Sequence, residues 1–167
     1  MSRRAKTALA SGLGLVALTA TFMTAPWEGN ENLAYYDRLG KVWTVCFGET
    51  KGVKPGDRYT DEECLRKLYT RLEYDFRRPL QKCIREFDAA PVSVQASMLD
   101  LSYNVGVGAA CNSTAARLIA TGDMRGACYA MTRFNRAGGK IIEGLKRRRE
   151  YGDANRIGEL ELCLAGL

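Results

Sequence analysis

The stretch APWEGNENLAYYDRLGKVWTVCFGET, residues Ala25 to Thr50, holds the feature that decides the fold. It begins where an uncharged run ends, places Glu28 two residues after a proline, and reaches Asp37 shortly before a turn at Gly40. On one continuous helix, Asp37 would lie on the face opposite Glu28 and about 13 Å along the axis. We therefore expect a helix that ends near Glu28 and a hairpin at Gly40, which together bring both acids to one cleft.

The segment KVWTVCFG, which follows Gly40, is the only stretch with a convincing strand pattern. Period-two alternation divides it into one face with Val42, Thr44 and Cys46 and another with Trp43, Val45 and Phe47. Because the bulkier face should pack on the core, we expect the Thr44 hydroxyl to face the cleft.

The remainder of the chain has the apolar spacing of helices. TDEECLRKLYTRLEYDF begins at Thr60, and PVSVQASMLDLSYNVGVG starts after Pro91 and stops at Gly106. NSTAARLIATG and DMRGACYAMTRFNRAGG each have a polar start and a glycine stop. The pattern predicts a mostly helical α+β protein with one small N-terminal sheet.

Length and composition limit the possible functions. The 167 residues fit one domain, or two lobes that share a helix, and the absence of histidine excludes histidine triads and most zinc sites. Arg3, Arg4 and Lys6 supply half of the net charge of +6. The rest is mildly basic without an aromatic-interleaved stripe, which argues against nucleic acid and suits an anionic polymer such as a cell wall.

Residues Thr7 to Trp27 form an uncharged run of 21 residues, long enough as a helix to span a bilayer of roughly 31 Å. Gly, Ala, Ser and Thr make up 12 of these residues, so the run should hold only weakly in a membrane. The three preceding cations predict a cytoplasmic N-terminus and export of the chain from Glu28 onward. A cleaved signal peptide and a buried helix of a soluble protein are the alternatives, although the residues around Ala20 and Ala25 make poor cleavage sites.

Six cysteines, all in the exported part, predict up to three disulfides with 15 possible pairings. Cys64 and Cys83 would lie about 28 Å apart on the predicted helix, too far to be bridged. Sequence proximity favours Cys46 with Cys64 and leaves the other four open. Their spacing does not resemble that of a zinc ribbon.

Two carboxylates in different surroundings are what glycosidic bond cleavage requires. Glu28, if held in apolar surroundings beside Trp27, could keep a proton and give it to a leaving sugar oxygen. Asp37, if ionised, could attack the sugar carbon or hold a water against it. On spacing alone, the better explanation of the pattern is a surface glutamate at a helix end and an aspartate in a turn, without a catalytic role.

EGNENLAYYDRLGKVWTVCFGET resembles the active-site segment of phage-type lysozymes, glycoside hydrolase family 24. The matching positions are Glu28, Gly29, Tyr35, Asp37, Gly40, Thr44, Gly48 and Thr50. Further matches are YNVGVG with NST soon after, and FNRAGGKIIEGLKRRRE, so the resemblance covers roughly residues 26 to 150.

The resemblance implies a muramidase that hydrolyses the β-1,4 bond between N-acetylmuramic acid and N-acetylglucosamine in peptidoglycan. Glu28 would be the general acid, while Asp37 and Thr44 would position the attacking water; Arg148 and Asn104 would bind substrate. It further implies a monomer without metal or cofactor, and a two-lobed fold in which a long helix joins the small sheet to a helical lobe. Two departures are an extra residue in RLGKVW, between Asp37 and Thr44, and Glu49 where many members have histidine.

The weakly apolar N-terminus is similar to that of a subgroup of these enzymes, the signal-anchor-release endolysins. The resemblance divides the chain into an anchor, residues 1–27, and a catalytic domain, residues 28–167. The enzyme would sit in the host inner membrane by a single span and then pass, active, into the periplasm. Because no cysteine precedes Cys46, we expect a conformational switch rather than disulfide exchange. A lytic transglycosylase or a non-catalytic wall-binding protein are the alternatives.

Overall fold

A computed structural model describes residues 2–38 and 40–167; Met1 and Leu39 lie outside it. The N-terminal run is helical in two pieces. Helix α1 spans Arg3–Leu9, and a second helical stretch comprises α2 (Leu15–Thr19), a π-helical segment (Ala20–Thr24) and α3 (Ala25–Glu28).

The uncharged run is not one unbroken helix in this structure, because the chain leaves the helical conformation at residues 10–14. Gly12 has a φ of +73°, a conformation that glycine adopts at little cost, and Gly14 is extended. In the described part of the chain, no helix is both long enough and apolar enough to cross a membrane.

The second helical stretch packs into the protein instead of lying apart from it. Leu18, Ala20 and Met23 are fully buried, as are the hydroxyl-bearing Thr19 and Thr24. The partner of this stretch is helix α6 (Val92–Val105), which is buried on every side from Ser93 to Ser102. The second helical stretch thus forms one layer against the central helix of the remainder.

The N-terminal sheet is a hairpin of β1 (Glu31–Asp37) and β2 (Val42–Cys46). Tyr35 pairs with Thr44 and Asp37 with Val42, while residues 57–59 bond to the other edge of β1. The predicted turn at Gly40 is confirmed: a Cβ at that position would approach Asp37 Oδ2 to 2.9 Å. The interval between Asp37 and Thr44, where the sequence departs from the family pattern by one extra residue, includes Leu39, which lies outside the described residues.

The predicted long helix is confirmed. It runs through α4 (Asp61–Arg71), a π-helical segment (Leu72–Arg77) and α5 (Arg78–Cys83), and begins at a capping box formed by Thr60 and Glu63. Pro79 lies just after the π-helical turn. Since proline lacks an N–H and displaces the preceding turn, it provides the local reason for that irregularity.

The C-terminal half is helical, as predicted, with one short hairpin that the sequence did not reveal. Its elements are α7 (Val107–Cys111), α8 (Thr114–Ala120), α9 (Met124–Met131), β3 (Arg136–Ala137), β4 (Lys140–Ile141), α10 (Glu143–Arg149) and α11 (Glu159–Ala165).

Three disulfides cross-link the fold. The favoured pair Cys46–Cys64 is confirmed and ties the end of β2 to the long helix. The other two bonds are Cys83–Cys111 and Cys128–Cys163, which join α5 to α7 and α9 to α11. Each loop closed by these bonds restricts the unfolded chain and stabilises the folded one.

Candidate active site

Glu28 lies at the C-terminal end of α3, where Gly29 turns the chain into β1 with a φ of +73°. Its Oε1 accepts a hydrogen bond from Arg148 Nη1 at 2.6 Å, and its side chain is 24% exposed. Glu28 therefore reaches from the helix end to α10 while keeping access to solvent.

The expected apolar surroundings of Glu28 are wrong. Trp27 points elsewhere: its Nε1 donates to the carbonyl of Ile157 at 2.8 Å, and the Arg156 guanidinium lies 3.9 Å from the ring centroid. Consecutive residues at a helix end project in different directions, so Trp27 and Glu28 have different neighbours. The side chain that contacts Glu28 is the cation Arg148.

Arg148 is shared between two carboxylates. Besides Glu28 it binds Asp100 of α6, with Nη2 3.0 Å from Oδ1 and Nε 3.2 Å from Oδ2. Burial lowers the pKa of Arg148, but the charges of Asp100 and Glu28 offset this and leave that pKa above its ordinary value. Arg148 is therefore a permanent cation in a site where its side chain is 6% exposed.

Arg149 occupies the other side of α10 and is fully buried. It forms an ion pair with Glu159 of α11, donates to Asn104 Oδ1, and its Nε donates to the carbonyl of Phe134 at 3.3 Å. Arg147, by contrast, is exposed and pairs with Glu143. The helical period of α10 accounts for the difference.

The predicted substrate-binding residues are both engaged within the protein. Arg148 donates hydrogen bonds to Glu28 and Asp100, and the Asn104 side-chain oxygen accepts one from Arg149. These contacts favour roles in orienting the site, and direct contact of Arg148 or Asn104 with substrate stays a prediction.

Asp37 and Thr44 lie on one face of the hairpin, because Thr44 pairs with Tyr35 and Asp37 is two residues further along β1. Such diagonal neighbours are about 7–8 Å apart. On the other face, Tyr36 and Trp43 make an edge contact with ring centroids 5.6 Å apart. The structure therefore brings these two predicted residues together.

Thr44 is more enclosed than the alternation pattern suggested. It is 5% exposed, and its hydroxyl donates to the carbonyl of Val42 at 3.4 Å. The reason is that β2 is covered on both sides, by the core around Val45 and by the disulfide at Cys46. The Thr44 hydroxyl can accept a hydrogen bond from a water near Asp37 while it keeps this weak bond, but it can donate to that water only by giving the bond up.

Tyr103 of α6 links the sheet to the helices near the site. Its hydroxyl donates to the carbonyl of Phe47 at 2.5 Å, and Arg71 Nη1 donates to the same hydroxyl oxygen at 3.4 Å. Burial raises the pKa of Tyr103 to about 12, so the phenol stays neutral at physiological pH.

Three site residues escaped the sequence reasoning: Thr24, Asp100 and Glu159. Asp100 is a single acid between two leucines, and Glu159 alternates with leucine and a second acid, Glu161; an acid in an apolar stretch signals a buried charge in need of a partner. Over the described residues, no group of three or more acidic or cysteine side chains is arranged to hold a metal ion.

Comparison with known proteins agrees with the geometry. The phage lysozyme family matches residues 25–151. A SAR-endolysin of Enterobacteria phage P21 is 36% identical over 171 residues, covering 99% of this chain and 97% of the relative. One from Bacteriophage PS119 is 34% identical over 160 residues, covering 92% of this chain and 89% of the relative.

Among solved structures, the active form of the P1 phage endolysin Lyz has a TM-score of 0.72 at 22% identity, with 96% of this chain and 91% of that chain covered. This likeness shows a lysozyme-like fold. Together with the family match and the relatives, it leads to one assignment: the chain belongs to the phage lysozyme family and is a glycoside hydrolase, a muramidase of the endolysin type whose substrate is peptidoglycan.

Proposed function

We propose that the chain cleaves the β-1,4 bond between N-acetylmuramic acid and N-acetylglucosamine with inversion, and that Glu28 is the general acid. The observation that carries this proposal is the position of Glu28. It projects from a helix end against Arg148 and directly precedes the hairpin on which Asp37 and Thr44 share a face.

In the proposed reaction, protonated Glu28 gives its proton to the glycosidic oxygen as the bond from that oxygen to the sugar carbon breaks. A water held by Asp37 and Thr44 attacks the opposite face of that carbon, and Asp37 takes the proton released from the water. An inverting mechanism needs this division of work between an acid and a base on opposite sides of the sugar.

The products distinguish this reaction from the alternatives. Digestion of purified peptidoglycan should yield one new reducing end per cleavage, and proton NMR at early times should show the α-anomer. Anhydro-muramic ends would instead identify a lytic transglycosylase, which needs one catalytic glutamate and has no use for Asp37. A wall-binding protein without activity would release neither product.

We further propose that residues 1–27 are a signal-anchor-release segment. The support is the uncharged run of 21 residues behind three cations, and two relatives that carry the name SAR-endolysin. In this proposal the chain is first inserted in the host inner membrane with its N-terminus in the cytoplasm. It is inactive there, because Glu28 directly follows the anchor and is held at the membrane surface.

Release into the periplasm would allow the segment to adopt the arrangement described above, with α2, the π-helical segment and α3 packed on α6. Small and hydroxyl-bearing residues, which weaken membrane insertion, suit this second location because they allow close packing in the core. In that arrangement Glu28 reaches Arg148.

Fractionation of expressing cells tests the anchor. The intact chain should appear first with the membranes and later, at the same mass, in the periplasm after the membrane potential is collapsed. A shortened periplasmic form would support a cleaved signal peptide. A second test is refolding of a chain without residues 1–25: activity equal to that of the intact released enzyme would exclude a structural role for the segment.

A further inference from the structure

Asp100 is a buried charge that the proposed reaction has not yet used. It lies on α6 and is fully buried. Its carboxylate receives three hydrogen bonds: Arg148 Nη2 and Thr24 Oγ1 bond to Oδ1 at 3.0 and 2.9 Å, and Arg148 Nε bonds to Oδ2 at 3.2 Å. A buried carboxylate with this many donors is held in a single orientation.

Asp100 affects the balance of charge around Glu28, because both carboxylates pair with the same arginine. Arg148 from α10 has two counter-ions, Glu28 and Asp100. If Asp100 were absent, Glu28 would be the only partner of a buried guanidinium and would have to stay ionised to balance it. With Asp100 in place, Arg148 keeps a buried counter-ion when Glu28 carries a proton, because Asp100 contacts the guanidinium through two of its nitrogens.

The other ionisable groups near Glu28 do not replace Asp100 in this role. Arg149 on the same helix is balanced by Glu159 from α11, and Tyr103 on α6 is neutral at physiological pH. With Glu28 protonated, the buried cations Arg148 and Arg149 are thus matched by Asp100 and Glu159.

Thr24 connects this arrangement to the N-terminal segment. It is fully buried in the π-helical stretch, and its hydroxyl donates to Asp100 across 76 positions of the chain. Thr19, on the same segment and equally buried, instead donates to the carbonyl of Leu15 at 2.8 Å, the local bond that a helical threonine usually makes. Of these two buried threonines, Thr24 therefore contacts the site through Asp100, whereas Thr19 bonds within its own helix.

We propose that Asp100 is a positioning residue for the catalytic acid: it holds Arg148 as a second counter-ion so that Glu28 can carry its proton, and Thr24 of the N-terminal segment fixes Asp100 in that orientation. The proposal rests on the proposed role of Glu28 as general acid. It means that the segment contributes a specific polar contact to catalysis as well as apolar packing.

The test compares pH profiles of kcat and KM on solubilised peptidoglycan strands for purified intact enzyme carrying Asp100→Asn, Thr24→Val, Thr24→Ser or Thr19→Val. For Asp100→Asn, the alkaline limb of the kcat profile should move about one pH unit towards acid, lowering kcat about tenfold on that limb with KM little changed. Thr24→Val should lower kcat about fivefold, roughly the effect of one lost hydrogen bond. Thr24→Ser should restore it, and Thr19→Val, the matched control, should leave it within about twofold.

An Asp100→Asn profile that superimposes on that of the parent enzyme would overturn the proposal, as would equal losses from Thr24→Val and Thr19→Val. If Asp100→Asn does not fold, as judged by circular dichroism, the three threonine variants decide the question. Glu28→Gln is measured alongside: full activity of that variant refutes the proposed function itself, whereas an inactive Glu28→Gln with an unshifted Asp100→Asn profile refutes only the role of Asp100.

Discussion

Replacement of Leu18 by alanine tests whether the N-terminal segment is part of the folded enzyme. Leu18 is 1% exposed and lies in an apolar cluster with Ala96 of α6 and Leu162 of α11. The change removes three carbon groups at about 0.8 kcal/mol each, and the cavity left behind raises the total to about 3–4 kcal/mol. For a protein of this size, that loss lowers Tm by about 10 °C.

The assay is urea unfolding of the purified, disulfide-intact protein, followed by circular dichroism. Leu13→Ala is the matched control, because Leu13 belongs to the same segment but lies in the break between α1 and α2 and is 41% exposed. It should cost less than about 0.5 kcal/mol. A loss below about 1 kcal/mol for Leu18→Ala, or equal losses for both variants, would refute the packing of the segment on α6 and α11.

Three further predictions concern the remaining contacts. Arg149→Met should destabilise the protein by about 3–5 kcal/mol in urea unfolding because it leaves buried Glu159 unpaired, and adding Glu159→Leu should recover most of the loss; no recovery would contradict the pairing. Replacing Cys83 and Cys111 by serine opens a loop with a sequence separation of 28 and should cost about 3.6 kcal/mol on the chain-entropy account, measured in the same way. Burial raises the pKa of Glu161, but hydrogen bonds from Arg4 and Ser2 outweigh it and hold that pKa below its ordinary 4.5. The stability gap between the parent and Arg4→Gln should therefore be constant above about pH 5 and shrink as the pH falls below 4.5, and a gap that widens on acidification would contradict this sign.

The sequence pattern predicted those helix ends and turns that depend on a few neighbouring residues. The helix start near Thr60, the helix stop at Gly106 and the turn at Gly40 were all predicted from the sequence. The Cys46–Cys64 bond followed from proximity along the chain. The helix start, the helix stop and the turn are each decided by residues within about one or two turns of one another, where propensity and geometry act without help from the tertiary fold.

The features that escaped prediction depend on contacts between distant parts of the chain. Strand β1 has no clear alternation, and it forms because β2 and residues 57–59 supply hydrogen bonds on its two edges. The apolar run looked like one membrane-length helix, but in the fold Gly12 and Gly14 allow it to break so that α1 can lie against α11. The hydrophobicity of a segment alone cannot show whether that segment lies in a membrane or in the core of a protein.

The same limit applies to the site. The sequence identified Glu28 and Asp37 through spacing and resemblance, yet it suggested an apolar environment for Glu28 where the fold supplies Arg148. The partner came from α10, about 120 residues away, and the balancing charge came from Asp100 on α6. Charged side chains in apolar stretches were the available sign that such a network exists.

The central claim is that Glu28 donates the proton that cleaves the glycan, and Glu28→Gln tests it most directly. Purified intact Glu28→Gln protein should keep the Tm of the parent to within a few degrees, since the amide oxygen of glutamine can still accept a hydrogen bond from Arg148. Its release of reducing ends from purified peptidoglycan should fall by at least about 10²-fold, the lower end of what general acid catalysis contributes. A folded Glu28→Gln variant that releases reducing ends at the parent rate would contradict the claim.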